Sequence, residues 1–194
     1  MIELPPGYTI ASATPSLIDF GVIQEANGAT TYVARPGSRY SLQCTMGPFY
    51  PDQARVLVAR LLSSKRKGLR IALPLQVKQG NPGATLVDGD ITAAGETLLI
   101  KGGTPGYLVK EGYWLSIEDG DGNHTIYNVE TGGFIDASGD ISITVSPPIS
   151  KPYEDGDAIH LGKPMMQGLV IGNQFEWSLS VDRMTPIVFG LAEQ

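Results

Sequence analysis

Between Pro51 and Lys67, Ala54, Leu57, Val58, Leu61 and Leu62 return at the spacing of three and four residues that lines one side of an α-helix. The ends of this stretch carry matching signals. Pro51 suits the first helical position, where its missing N–H costs nothing, and Asp52 complements the positive end of the helix dipole. Lys65, Arg66 and Lys67 complement the negative end, and Gly68 can take a left-handed stop. The pattern predicts a helix over 51–67 packed on an apolar partner. Fully burying its three leucines and Val58 is worth about 1.5–3 kcal/mol each, before the entropy of ordering them is subtracted.

Elsewhere the period is two. Strands are predicted at Tyr32–Ala34, Tyr40–Met46, Leu69–Leu75, Leu169–Ile171 and Phe175–Val181. In the last, Phe175, Trp177, Leu179 and Val181 alternate with Glu176, Ser178, Ser180 and Asp182, as a half-buried antiparallel strand requires. Six further runs recur through the middle of the chain, at Thr85–Val87, Leu98–Lys101, Trp114–Glu118, Thr125–Val129, Ile141–Val145 and Ala158–Leu161. Asp88-Gly89, Asp121-Gly122 and Ser138-Gly139 supply turn chemistry between them. Six short strands suggest a small barrel or sandwich.

With 24 Gly, 14 Pro and only 18% charged residues, the composition agrees with a mainly β protein built on tight turns. Breaks near Gln79–Gly83 and Leu161–Pro164 read as domain crossings. They divide the chain into a β-sandwich scaffold, residues 1–80 plus 164–194, and an inserted β domain, residues 81–163. Because the first and last predicted strands lie at opposite ends of the chain, the scaffold is expected to close around the insert, with the insert projecting from one edge. Charge divides in the same place. Residues 81–163 hold thirteen acids against four lysines, a formal −9, whereas the flanking pieces hold ten basic and seven acidic residues, a formal +3. An acidic insert repels phosphates, and neither half has the basic, aromatic-interleaved stripe of a nucleic-acid binder.

Candidate chemistry is sparse. Cys44 is the only cysteine, so an intrachain disulfide and a thiolate metal cluster are both excluded, which fits a reducing cytoplasm. Its place in the alternating run Tyr40–Met46 predicts a buried, inert thiol. The first ten residues have neither a basic start nor a long apolar stretch, and no apolar run approaches the ~20 residues that cross a bilayer, so neither export nor membrane insertion is expected. There is no Walker loop, dinucleotide glycine pattern, nucleophile elbow or HExxH. Asp88 with Asp90, or Asp155 with Asp157, could pair for glycoside cleavage, but acidic turns beside glycine are far commoner. His124 and His160, the only histidines, are expected to be solvent-facing or simply hydrogen-bonded. Tyr113, Trp114 and Tyr127 could stack on sugars in a glycan-binding module.

Asp119, Asp121, Asn123 and Glu130 fall at positions one, three, five and twelve of a calcium loop, with Ile126 at the apolar eighth. The sixth position is His124 instead of glycine, and the preceding run reads as a strand. If Thr125–Val129 is the return strand of a hairpin, Glu130 lies about 20 Å or more along the chain from the turn and cannot close a cage. A hairpin turn is therefore expected, with no metal and no cofactor.

The order of features resembles a family. A helix, basic turn and strand (Pro51 to Leu75) precede an inserted β domain with the run Leu108 to Ile117 and the later Ser138, Gly139, Asp140, Ile141 to Pro148, and Phe175–Val181 returns at the end. This arrangement, which covers nearly the whole chain, is similar to that of distal tail and related tail-tip proteins of long-tailed, siphovirus-like bacteriophages. The resemblance implies a β-sandwich related to tail-tube folds, with one helix, forming a homohexameric ring in the virion after assembly in the host cytoplasm. The ring would join the tail tube to the hub and the tape-measure protein, and the insert could meet receptor-binding proteins. No catalytic residue follows from the resemblance. A tube or terminator subunit would share the same physics. Val56 lies off the leucine face of the helix, beside Arg55 and Arg60, and this flank is the expected contact with a neighbouring copy.

Overall fold

A computed structural model describes residues 1–26, 28–33, 37–172 and 184–193, and in them the two periodicities become one helix and sixteen strands. The first strands are β1 (Ile2–Glu3), β2 (Ile10–Ile18), β3 (Val22–Ala26), β4 (Ala29–Val33) and β5 (Arg39–Phe49). The helix α1 (Pro51–Lys67) follows, then β6 (Leu69–Ala72), β7 (Gly83–Val87), β8 (Thr97–Gly103), β9 (Leu108–Val109) and β10 (Trp114–Glu118). The remainder are β11 (His124–Thr131), β12 (Gly133–Phe134), β13 (Ile141–Ser146), β14 (Ala158–His160), β15 (Met165–Ile171) and β16 (Thr185–Glu193). The fold class is the expected one: mainly β, one helix at the anticipated residues, several sheets and a small closed barrel. The predicted strand Phe175–Val181 lies outside the described residues, as does Ala34 of the predicted Tyr32–Ala34.

Two compact units divide the chain. The first comprises Met1–Leu17, Tyr40–Pro74 and Met166–Gln194, and the second Ile18–Arg39 and Leu75–Met165. The second unit thus begins at Leu75 and takes in the stretch from Ile18 to Arg39, which the sequence division had placed with the scaffold.

In the first unit a six-stranded sheet runs in the order β1-β6-β15-β16-β5-β2. Its first and last strands in the chain share that sheet: β1 lies parallel to β6, with Ile2 opposite Leu69, and β16 lies between β15 and β5. Period two sorts the side chains. Leu42, Cys44 and Met46 on β5 stand opposite Leu191, Phe189 and Ile187 on β16, and all six are buried. The helix α1 packs against β1, β6 and β16 through Leu57, Val58 and Leu61. Leu62, expected on this face, is 43% exposed, and the fourth buried helical position is Ser64, whose hydroxyl donates to the Leu61 carbonyl at 2.7 Å. Its hydrogen bond within the helix satisfies a hydroxyl that would otherwise be costly to bury. Gly68 ends the helix at φ 74°, its N–H donating to the Ser64 carbonyl at 2.8 Å. A Cβ at Gly168 in β15 would run into the backbone carbonyl of Ala192 on β16, so that position tolerates no side chain without a shift of the ladder.

The second unit contains the barrel. The order β10-β11-β13-β8-β7-β14 closes on itself through the pairing of β14 with β10, and each of the six predicted central strands supplies one stave. Leu98, Ile100, Leu115, Ile117, Tyr127, Val129, Ile143, Val145 and Ile159 belong to one buried cluster, as alternate residues of successive staves should. Closure leaves the staves without an unpaired edge. The thinnest seam is between β7 and β14, where Ala158 opposite Leu86 is the one paired position.

Gln79 sits where the chain runs into this barrel. It is buried, and its side-chain Nε2 donates to the carbonyls of Trp114 (2.7 Å) and Leu161 (2.5 Å). Its Oε1 accepts from the Trp114 N–H at 2.9 Å, and its own carbonyl accepts from the Tyr107 hydroxyl. The amide side chain thus treats the start of β10 as a neighbouring strand would, and ties it to the residue that follows β14. A Cβ at Gly162 would lie 3.0 Å from the Gly80 carbonyl and 3.3 Å from Pro82, so the incoming and outgoing segments touch.

The same unit holds the β3–β4 hairpin, paired from Val22 opposite Val33. The Tyr32 hydroxyl donates to the carboxylate of Asp19, which also accepts from the Gly21 N–H (2.9 Å) and the Ser38 hydroxyl (2.8 Å). A Cβ at Gly21 would overlap the Tyr32 ring.

Candidate functional site

The helix flank singled out in the sequence is open to solvent. Val56 is 41% exposed, and Arg55, Val56, Ala59, Arg60 and Ser63 line an open groove together with Ile2 of β1. Its walls are aliphatic carbon framed by two guanidinium groups, one of which, Arg55, reaches Asp52 at 3.6 Å across a fully solvated gap. Such an exposed pair contributes little to stability, so Arg55 remains available to a partner. The β3–β4 hairpin is a second apolar surface, with Ile23 at 66% and Tyr32 at 55% exposure.

Of the carboxylates considered for glycoside cleavage, Asp155 is tied into an ion pair and backbone hydrogen bonds. Lys101 lies against Asp155 and 3.8 Å from Asp88. The Gly89 N–H donates to Asp155 at 2.7 Å, and the Asp155 N–H donates to Asp90 at 3.0 Å. The Lys101 ammonium, and then the Gly89 N–H, hold the Asp155 carboxyl below its ordinary range. A general acid for that reaction needs the opposite shift. Asp157 caps a turn, accepting from the Glu154 N–H at 3.0 Å.

The calcium pattern resolves into the expected hairpin. Glu118 pairs with His124 across a loop in which Asp119 accepts from the backbone N–H groups of Asp121 (3.1 Å) and Asn123 (2.8 Å). The other oxygen of Asp119 takes the Lys151 ammonium at 2.6 Å. Burial alone would raise this carboxyl, but Lys151 and Asn123 together hold it low. A lysine therefore occupies the place where a cation would sit. Glu130 lies exposed near the far end of β11, the return strand that begins at His124.

Of the aromatic residues considered as sugar platforms, Tyr127 is fully buried and its hydroxyl lies 3.1 Å from that of Tyr153, so it belongs to the barrel core. Tyr113 and Trp114 are half-buried. Cys44 is buried as anticipated, and burial pushes its thiol up to about 12.

The two histidines meet, which the sequence did not suggest. His160 Nε2 lies 2.8 Å from Glu118 Oε2, and His124 Nε2 lies 3.8 Å from the same oxygen. The two rings stand 5.2 Å apart, centroid to centroid. Register explains the meeting. Glu118 is opposite His124 on β11, and His160 on β14 is opposite Ser116, two residues before Glu118 on the same face of β10. That face is the one turned away from Leu115 and Ile117 and hence from the barrel interior. His124 is buried there, while the side chains of Glu118 and His160 keep about a third of their surface in water.

Compared with known proteins, the chain matches no protein-family model and no curated protein.

Proposed function

We propose that this chain is a non-enzymatic structural subunit that assembles with copies of itself into a ring at the tip of a long-tailed phage, as a distal tail protein. The observation that carries the reading is the groove of Ile2, Arg55, Val56, Ala59 and Arg60, an apolar strip with charged margins on the outer flank of the single described helix. Interfaces between copies bury such apolar strips at their centre and are enriched in arginine relative to the rest of the surface. The exposed Ile23 and Tyr32 of the β3–β4 hairpin offer a second contact of the same kind. In a closed ring each copy presents two different patches to its two neighbours, so two separate apolar surfaces suit it. The uneven charge along the chain, acidic through the barrel, keeps such an assembly soluble.

The test is the mass of the purified full chain in solution, by light scattering after size exclusion, with negative-stain images of the same sample. A ring of several copies is expected, and Val56→Asp should return it to monomers with an unchanged far-ultraviolet circular dichroism spectrum. A protein that stays monomeric at high concentration and never joins tail tubes would overturn the assignment.

A further inference from the structure

The geometry points to a transition-metal site on the outer face of the barrel, in which Glu118, His124 and His160 bind one zinc-like divalent cation and fasten β14 to the β10–β11 hairpin. The three residues offer a carboxylate oxygen and two imidazole nitrogens that all lie within 4.8 Å of one another. A tetrahedral ion bound at about 2.0–2.1 Å needs its donors about 3.3 Å apart. The observed separations of 2.8 Å and 3.8 Å from Glu118 to the two rings bracket that value. Closing the remaining gap falls to Glu118 and His160, whose partly solvated side chains can turn. His124 is buried and serves as the fixed corner.

The donor set decides the class of ion. Two imidazoles with one carboxylate suit Zn²⁺, Co²⁺ or Ni²⁺, whereas Mg²⁺ and Ca²⁺ prefer sites made of oxygen alone. Three protein donors leave a fourth position, on the solvated side of Glu118 and His160, for water or for a group from a partner. In the loop beside it, by contrast, the Lys151 ammonium holds Asp119.

Position gives the site a purpose. The strand β14 has three residues and closes the barrel through one paired position with β7 and three with β10. An ion held by His160 from β14, Glu118 from β10 and His124 from β11 cross-links three consecutive staves beside that seam. Metal bound to the folded chain alone stabilises it by mass action. Binding of an ion here requires no ring assembly.

The experiment uses the full chain without a polyhistidine tag, stripped with a chelator and titrated with Co²⁺. Visible absorption bands of tetrahedral cobalt that saturate at one equivalent, and that Zn²⁺ abolishes, are expected. His160→Gln and Glu118→Gln sit on partly exposed positions and should keep the wild-type circular dichroism spectrum. Each should weaken binding beyond the roughly 10–100-fold that loss of an outer partner of a metal ligand costs. Zn²⁺ should raise the melting temperature of the wild type and leave that of either variant unmoved. Absence of the bands in folded protein, or binding that survives both substitutions, would overturn the site and leave a plain carboxylate–imidazole pair.

Discussion

Replacing Gln79 tests how the barrel is held at the point where the chain runs into it. The wild-type amide makes three hydrogen bonds with backbone groups, two as donor to the Trp114 and Leu161 carbonyls and one as acceptor from the Trp114 N–H. At about 0.5–1.5 kcal/mol net for each, Gln79→Ala should cost about 1.5–4.5 kcal/mol. Gln79→Glu separates this account from one based on packing alone, because it preserves size. Its carboxylate keeps the bond from the Trp114 N–H but turns an oxygen towards two carbonyls that had received protons. A buried charge facing two acceptors is worse than a cavity, so Gln79→Glu should be the less stable variant at neutral pH. Burial raises the folded-state value of that new carboxyl, so its deficit should shrink as pH falls and the protonated acid regains one donor. Urea denaturation followed by circular dichroism supplies the free energies, and hydrogen exchange at Trp114 and around Leu161 locates the loss. A Gln79→Glu variant as stable as the wild type at neutral pH, or a Gln79→Ala cost under about 0.5 kcal/mol, would refute this role for the amide.

Two other outcomes follow from the same structure. Asp136 is held low first by the Asp140 N–H, Asp155 by Lys101, and Asp119 by Lys151 against its own burial. Each folded value lies below the ordinary 3.8, so the stabilisation is present above that pH and lost as pH falls through the folded value. A urea series should show stability declining below about pH 4, and stability that rises on acidification would contradict it. Gly168→Ala should destabilise the six-stranded sheet by at least about 1–3 kcal/mol, because the added methyl meets the Ala192 carbonyl, which cannot turn aside as a side chain could. An unchanged melting temperature would show that β15 and β16 part easily enough to admit the methyl.

The helix and the barrel staves were legible in the sequence because their signals are local. Pro51 and Gly68 mark the ends of α1, and the alternation of Leu115, Ile117, Tyr127 and Val129 needs no knowledge of partners. Leu62 was placed wrongly because a face of five apolar residues is wider than the strip this sheet covers, and Ser64 fills the margin through its own bond to Leu61. The strand β2 leaves no alternation in the sequence because most of its residues are exposed. Gln79 looks like linker amid Gly80, Asn81 and Pro82, since its worth depends on Trp114 and Leu161, residues far along the chain. The cluster of Glu118, His124 and His160 was hidden for the same reason. Two of its members face each other across a turn, but the third arrives through the register of β14, which no local pattern encodes. The exposed flank of α1 was legible, because Val56 breaks the polar side of an otherwise ordinary amphipathic helix.

The contact of Gly162 with Gly80 and Pro82 has a consequence for how such a chain can change over generations. A folded cassette whose two ends adjoin imposes no span on its host, so it can be lengthened, swapped or trimmed to a short loop without rethreading any strand outside it. Selection acting on whatever this barrel meets can therefore remodel it wholesale, while the sheet and helix that carry the groove keep their register.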